Sequence, residues 1–584
     1  MKRIVSLLLC AVMLLACASV LSGCAPKDDG AQISVYLSDV IYDFDPTEFY
    51  ADDNAAQVMS LLYEPLFALD EKGKLQMAAA KEYEVDTEKG EIVITLRESY
   101  WSNGARVTAE DFIYAWRDRI LAPSRANAAA ALFYDIENAK EISAEEAPLY
   151  TFGASRSDLY EITIRYRQGA DVDQLLKNLA SIATAPVSQA TVSAAPDTWS
   201  KMSGTCVTNG PFQLYSFDLE GEFTLTRNLG YHQQSTVKDY DDKVTPYKLV
   251  SFWAGEDKLE LTYSQVENDV IFYMGEATLA ERAAHKDEAV YSDVLSTYTY
   301  LFNTKNPLFK DANVRYALSL AIDREAIANA VVFGRAATSF LSPLVQNAKG
   351  KTFSSAIISK NAQTTMAKNL LAGVQDLPED KSFTLTVANN ETALKIAELV
   401  KQSWDALGFN VTIEAVAPVT VVQEDQETGI KTEIVDDGLQ VLLKEATYGI
   451  YNFDCIGFDW QLYSYDPIVA LYAFTSKYNG NGVEYIGESN SAVSRTAIGG
   501  WTSESYDALI NEAAQLDGAQ REAKLLLAEK ELVEQAPIVP VLFNQSFAFI
   551  SDKLKRVEPD GFGIFNFTSA KQSGYHKYLP TEEE

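Results

Sequence analysis

The sequence predicts a mixed α/β protein with more than one core, and three observations carry that expectation. Its 584 residues exceed what one hydrophobic core organises, since chains split into domains beyond roughly 250–300 residues; two or three lobes are expected. Residues 382–388 alternate as a strand, and a helix starting at Glu391 follows with Leu394, Ala397, Leu399, Val400 and Leu407 as its apolar stripe. Gly408 closes that helix and residues 409–414 are again strand-like, so strand, helix, glycine and strand make a βαβ unit with a locally parallel sheet. Residues 91–97 set Ile92, Ile94 and Leu96 against Val93, Thr95 and Arg97, a half-buried strand by its period of two.

Along the chain, Met1-Lys2-Arg3 precedes an uncharged run over residues 4–26 whose densest part is 7–15, the layout of a signal peptide. Leu21-Ser22-Gly23-Cys24 resembles a bacterial lipobox, with Cys24 as the lipidated residue, residues 1–23 removed and 24–30 left as a polar tether. The competing reading is a permanent N-terminal transmembrane helix, because the run is nearly long enough to span a bilayer. After the strand at 91–97, Trp101-Ser102-Asn103-Gly104 reads as a turn. Thr108 with Asp111 three residues on makes a capping-box start, followed at helical spacing by Phe112, Ala115, Trp116 and Arg119. The alanines at 128–131 are most simply helical. Residues 313–327 and 503–514 are amphipathic helices, and 521–533 form another that leads into Pro537. Residues 346–365 are polar and weakly periodic, a loop or insertion, while 418–438 alternate valine with charge as a surface hairpin.

With 82 acidic against 49 basic residues, a net charge of −33, the chain lacks the clustered Lys and Arg that bind phosphate backbones, which excludes nucleic acid as a partner. Removal of Lys2 and Arg3 with the leader leaves 47 basic residues and a net −35. Histidine stands only at 232, 285 and 576, too sparse for a His-built zinc site or a Ser-His-Asp triad. No metal, cofactor or catalytic set is expected. Cys10 and Cys17 leave with the leader, so only Cys206 and Cys455 sit in the folded body; a disulfide between them and two buried free thiols both remain open.

An ordered set of short blocks resembles one family. These are Tyr63-Glu64-Pro65-Leu66-Phe67 with Asp70 and Gly73, Leu96-Arg97 to Trp101-Ser102-Asn103-Gly104, and Val107-Thr108-Ala109-Glu110-Asp111-Phe112. Asn209-Gly210-Pro211-Phe212, Arg227-Asn228, Phe302-Asn303-Thr304, Val314-Arg315-Tyr316-Ala317-Leu318, Ala321-Ile322-Asp323-Arg324 and Ala536-Pro537-Ile538-Val539-Pro540-Val541 continue it. Each block is weak alone, but their order resembles the extracellular solute-binding proteins of peptide ABC importers, the oligopeptide- and dipeptide-binding type known as solute-binding protein family 5. The resemblance implies a type II periplasmic-binding-protein-like fold: two lobes around a cleft, with an extra subdomain inserted in the first. It implies lobe I from 31–75, 203–300 and 546–584, the inserted subdomain from 76–202, and lobe II from 301–545. Arg315 and Asp323-Arg324 read as solvated or structural ion pairs, and Pro537 and Pro540 as brackets of a short apolar strand near the return crossing between lobes.

Family members that hold a peptide by its free amine have a Trp, an Asp three positions later and a Pro seven positions after the Trp. Here Trp460 and Pro467 keep that spacing, but the Asp position is Tyr463. A phenol is neutral at pH 7 and cannot pair an ammonium. Three readings follow: Asp459 or Asp466 takes the amine instead; the ligand lacks a free α-amine there and Trp460 and Tyr463 are stacking platforms for a sugar or apolar face; or Tyr463 is packing and both acids are solvated. Tyr298, Tyr300 and Asn303 lie on the strand the resemblance runs along the cleft, with core aromatics as the equal alternative.

The resulting expectation is a non-enzymatic, monomeric solute-binding protein, anchored by lipid on Cys24 to the outer face of the cytoplasmic membrane. It would pass a peptide or related small solute to ABC permease subunits. A non-peptide binder, a surface receptor without import and an enzyme on the same scaffold are the alternatives.

Overall fold

The computed structural model describes residues 32–573 apart from 38–40, 42, 49–52, 124–126, 218–221, 234–245, 247, 253–262, 264–269, 276, 348, 350, 425–430, 437, 448–449, 462–463 and 477–498. The expected leader, Cys24 and Tyr463 lie outside the described residues. In chain order, β1 (Gln32–Tyr36) precedes the pair β2 (Phe67–Leu69) and β3 (Leu75–Met77). Then come β4 (Ala80–Asp86), β5 (Glu91–Leu96), β6 (Ala154–Asp158) and β7 (Glu161–Arg165), a separate antiparallel sheet in the order β4-β5-β7-β6. They are followed by β8 (Phe212–Phe217), β9 (Glu222–Arg227), β10 (Lys248–Phe252), β11 (Phe272–Tyr273), β12 (Ala289–Phe302) and β13 (Arg335–Ala336). The last are β14 (Ser382–Ala388), β15 (Asn410–Val416), β16 (Val419–Glu424), β17 (Lys431–Asp436), β18 (Cys455–Gln461) and β19 (Ile538–Ile550).

One long mixed sheet runs β15-β14-β18-β12-β19-β11-β1-β10-β9-β8, with β13 added beside β19. Its two ends are β8, β9, β10, β1 and β11 on one side and β15, β14 and β18 on the other. Between them lie β12 and β19, 14 and 13 residues long. Their pairing is broken where they cross, with register shifts between Asp293 and Thr297 and between Tyr298 and Thr299. A bulge removes ladder hydrogen bonds and bends the strand, so the pairing of β12 and β19 is interrupted at this crossing. Pro540 falls on the second shift, where its missing N–H costs no ladder bond. The two prolines therefore do not bracket a short strand: Pro540 lies inside a long one.

The βαβ unit forms as expected. The helix Glu391–Asp405, capped by Asn390 Oδ1 on Ala393 N at 2.8 Å, returns the chain so that β14 and β15 pair in parallel. β16 and β17 form the hairpin read at 418–438. Thr108 donates both its N–H and its hydroxyl to the Asp111 carboxylate, 2.8 and 2.9 Å away. The alanine run is a 3-10 helix, Ala128–Phe133. The single helix expected over 313–327 is instead two, Ala312–Leu320 and Arg324–Val331, because Asp323 Oδ1 accepts from Ala326 N at 3.0 Å and starts a new helix in place of continuing the old.

Arg315 and Arg324 depart from the solvated or ion-paired roles read for them. Both are buried and both bind carbonyl oxygens. Arg324 donates to Pro540 O at 2.8 Å and Ser319 O at 3.0 Å, and Arg315 to Gln535 O at 2.7 Å and Phe309 O at 2.7 Å. Carbonyls at helix ends have no intrahelical partner, so each guanidinium satisfies several and ties its helix to the start of β19. The early motif blocks converge in the same architectural way. Asn209 exchanges both side-chain hydrogen bonds with the Glu64 backbone, at 2.9 and 3.0 Å, and Glu64 accepts from Tyr231 Oη at 2.5 Å. Cys206 and Cys455 are both buried and free.

Candidate functional site

The site is built where the strand crossing meets the chain that follows β18. On one face, β12 contributes Ser296 and Tyr298, β18 contributes Asp459, and β19 contributes Asn544, whose side-chain amide donates to Ser296 Oγ at 2.7 Å and Asp459 Oδ1 at 2.6 Å. Asp459 is exposed and lies opposite Tyr298 in the ladder. Burial, with the Asp459 charge next, pushes the Tyr298 phenol far above its ordinary value, so it remains neutral. Trp460 follows Asp459 directly on the strand and therefore points to the other face. There it is buried against Phe474 at 4.8 Å, Phe340 at 5.8 Å and Phe458 at 5.9 Å. Trp460 and Asp459, candidates under two different readings, thus stand on opposite faces of one strand.

Three further expectations are corrected by geometry. Asp466 is 1% exposed as a side chain, and both its oxygens accept from Arg521 Nη2, at 2.7 and 2.6 Å. Oδ1 also caps the helix Pro467–Tyr472 through Ile468 N at 3.0 Å. Burial would raise this carboxyl, but the Arg521 guanidinium holds it below the usual carboxylate range. Buried and already accepting three hydrogen bonds, Asp466 is held in a structural ion pair and helix cap. Tyr300 is wholly buried, edge-on to Trp404 at 5.6 Å and to Tyr298 at 5.7 Å. Gly457 leaves it that room, since a Cβ there would stand 2.4 Å from Tyr300 Cε1. Asn303 Nδ2 donates to Asn452 Oδ1 and Phe453 O, both at 2.9 Å, and Asn303 Oδ1 accepts from Lys305 N at 3.1 Å; it builds a loop corner.

The chain after β18 also joins three parts of the molecule. Ser464 Oγ and Tyr465 N donate to Asn178 Oδ1 at 3.1 and 3.3 Å, from the unit that carries the four-stranded sheet. Tyr465 Oη donates to Gly561 O and its ring meets Phe562 at 5.1 Å, in the C-terminal stretch. Asp560 shapes that stretch by accepting from Phe562 N and Ile564 N at 2.8 and 3.0 Å. Farther along, Lys140 Nζ donates to Tyr472 Oη at 2.6 Å, and Gln174 and Lys177 bond Gln346 at 2.9 and 3.0 Å. Residues 464–467 thus lie on a seam where the chain after β18, the C-terminal stretch and the four-stranded unit touch. Asn178, Asn544, Tyr465 and Gly561 were not legible as seam residues, because none carries a local spacing signal.

Residues 74–482 match the family described as bacterial extracellular solute-binding proteins, family 5 Middle. Among curated proteins, the dipeptide-binding protein DppE of Bacillus subtilis is 27% identical over 526 residues, covering 86% of this chain and 84% of the relative. The probable deoxycholate-binding periplasmic protein YgiS of Escherichia coli is 26% identical, covering 88% of each. Among solved structures, Listeria monocytogenes OppA bound to peptide superposes with a TM-score of 0.71 at 20% identity, over 93% of this chain and 99% of that one. The match spans more than half of the sequence, and the two-lobed fold with its strand crossing agrees with it: this chain belongs to the bacterial extracellular solute-binding proteins of family 5.

Proposed function

We propose that this protein captures peptides outside the cytoplasm and delivers them to an ABC permease, held at the membrane by lipid on Cys24. The observation that carries the reading is the seam at residues 459–461 and 464–467, beside the irregular pairing of β12 and β19. A ligand touching both lobes stabilises the closed arrangement by its differential affinity for it. That is binding without a chemical step. The lobe boundaries read from the sequence, near 300 and 545, fall within or beside the crossing and are retained in this proposal, with 76–202 as the inserted subdomain. Among the described residues no helix is long and apolar enough to cross a membrane, and the anchor in this reading is the lipid on Cys24. Cys24→Ala should move the protein from the detergent phase to the aqueous phase in phase partitioning; retention of the variant with residues 1–23 still attached would favour the transmembrane reading.

The class of ligand follows from position 463. With Tyr463 in place of the amine-binding Asp and Asp466 committed to Arg521, Asp459 is the one acid of this segment left exposed among the described residues, and it already accepts from Asn544. We infer a ligand not anchored by a free α-amine at this point. The deoxycholate named in one relative supports a second reading, an apolar non-peptide solute. Calorimetry with a mixed peptide pool and its N-acetylated counterpart distinguishes them. Acetylation should barely change affinity, because a charge-assisted hydrogen bond worth about 1.5–3 kcal/mol, roughly ten- to a hundred-fold, is missing at that site. A loss of that size on acetylation, matched in Asp459→Asn, would return the protein to amine-anchored peptide binding. Binding of bile acid with none of either pool would establish the second reading.

A further inference from the structure

We propose that a negatively charged group of the solute is held by Lys286, Arg335 and Lys360 in the groove between the helices Leu279–Ala284 and Arg324–Val331. The proposal rests on the solute-binding reading and names the class of solute, an acid. The groove has a volume of about 760 Å³, within the range of small-molecule sites. Its walls bring together Lys286 just after the first helix, Arg335 on β13 and Lys360 beyond the second, with Glu325 as the one acid among the lining residues. Asp293 lies behind Arg335, so three cations face two acids, a net positive site on a chain of net charge −33. Of the acids next to Lys286 in sequence, neither lines the groove, and Glu288 is bound to Tyr263 and His285 at 2.8 and 3.1 Å.

Arg335 is held in place from behind. Its Nη2 donates to Asp293 Oδ2 at 2.5 Å, Asp293 Oδ1 accepts from Gln545 Nε2 at 3.0 Å, and Gln545 Oε1 accepts from Gly334 N at 3.0 Å. That ring uses one of the five N–H donors of the guanidinium, and Lys360 gives one of its three to Glu325 at 3.1 Å. The backbone leading to Arg335 is strained. Val332 has φ 70° and ψ −53°, and Phe333 N donates to Val331 O at 2.9 Å, a γ-turn of the rare sense at a β-branched residue. Phe333 holds the turn by stacking on Phe547 at 4.6 Å. Gly334 follows at φ 142°, where a Cβ would stand 2.6 Å from Leu542 Cδ2. Strain of this kind persists only where the surroundings over-determine it, and it clusters at ligand sites. The groove also lies in line with the candidate solute segment. Trp460, Thr297, Phe543 and Arg335 stand opposite one another on β18, β12, β19 and β13, and opposed residues share a face. Three strand spacings put Arg335 about 14 Å from Trp460, the span of about four extended residues. A peptide and a bile acid each end in a carboxylate, so either could reach these cations with its acid end.

The test is calorimetry of the full chain with a mixed peptide pool and its C-amidated counterpart, and with deoxycholate and its neutral amide, which separates the two sources of the carboxylate. Whichever acid binds should lose roughly tenfold in affinity on amidation. Lys286→Gln and Arg335→Gln should each weaken the acid about fivefold, as expected for half-exposed charges, and leave the amide unchanged. Equal binding of acid and amide, or an equal loss of both in the variants, overturns the proposal. Should Arg335→Gln fail to fold, Lys286→Gln, at an exposed position, decides by the same comparison. If neither the peptides nor the bile acid bind, the solute-binding reading fails separately, and anomalous scattering from crystals soaked in selenate decides for the groove. An ion between Lys286 and Arg335 would sustain it as an anion site, and an empty groove would overturn it.

Discussion

Arg521→Met should destabilise the protein by roughly 3–5 kcal/mol, the cost of leaving a buried carboxylate without its counter-ion. The Asp466 side chain is 1% exposed and Arg521 5%, and the guanidinium supplies hydrogen bonds of 2.7 and 2.6 Å to both oxygens. Removing the guanidinium strands the charge of Asp466 near Asp135, a second carboxyl that faces Arg521. The loss should appear as a lower denaturant midpoint. Adding Asp466→Asn should restore a large part of it, since the neutral amide keeps the cap on Ile468 N and no buried charge remains. A single variant within about 1 kcal/mol of the parent, as for a solvated ion pair, would show that the seam is open to water there.

Trp404→Ala should cost about 3–5 kcal/mol as well, by a different route: lost apolar burial plus the cavity left behind. Trp404 is wholly buried on the helix Glu391–Asp405. It contacts Phe383 of β14 at 5.5 Å and Tyr300 and Phe302 of β12 at 5.6 and 5.9 Å. Its indole N–H donates to Leu318 O at 2.9 Å, so it fastens the βαβ unit to β12, one of the two long strands of the crossing. Trp404→Phe should cost less, because it keeps most of the ring contacts and forfeits chiefly one hydrogen bond, about 0.5–1.5 kcal/mol. Equal losses for the two substitutions would mean that the hydrogen bond, and not the packing, holds the helix.

Much of the local structure was decided by nearby residues. The alternation at 91–97 and 382–388, the stripe ending at Gly408 and the Thr108–Asp111 cap depend on neighbours within about four positions, so each left a mark in the sequence. The break between Ala312–Leu320 and Arg324–Val331 was also local, in the N-cap side chain of Asp323, but apolar spacing continued across it and concealed it. The early motif blocks were legible as an ordered set, yet their meaning was not, since the Asn209 and Glu64 pairing joins positions 145 residues apart. The family resemblance likewise placed the candidate ligand segment between Trp460 and Pro467 and exposed the substitution at Tyr463. Which of its acids stays available was settled elsewhere: Arg521, 55 residues downstream, removes Asp466, while Asn544, 85 residues downstream, reaches the exposed Asp459. An ion pair between distant segments requires only a charge and a direction from each, and neither segment needs a particular neighbour. Sequence therefore determined many of the elements and pointed to the family, whereas the tertiary structure decided which polar side chains of this segment are buried in ion pairs and which stay exposed.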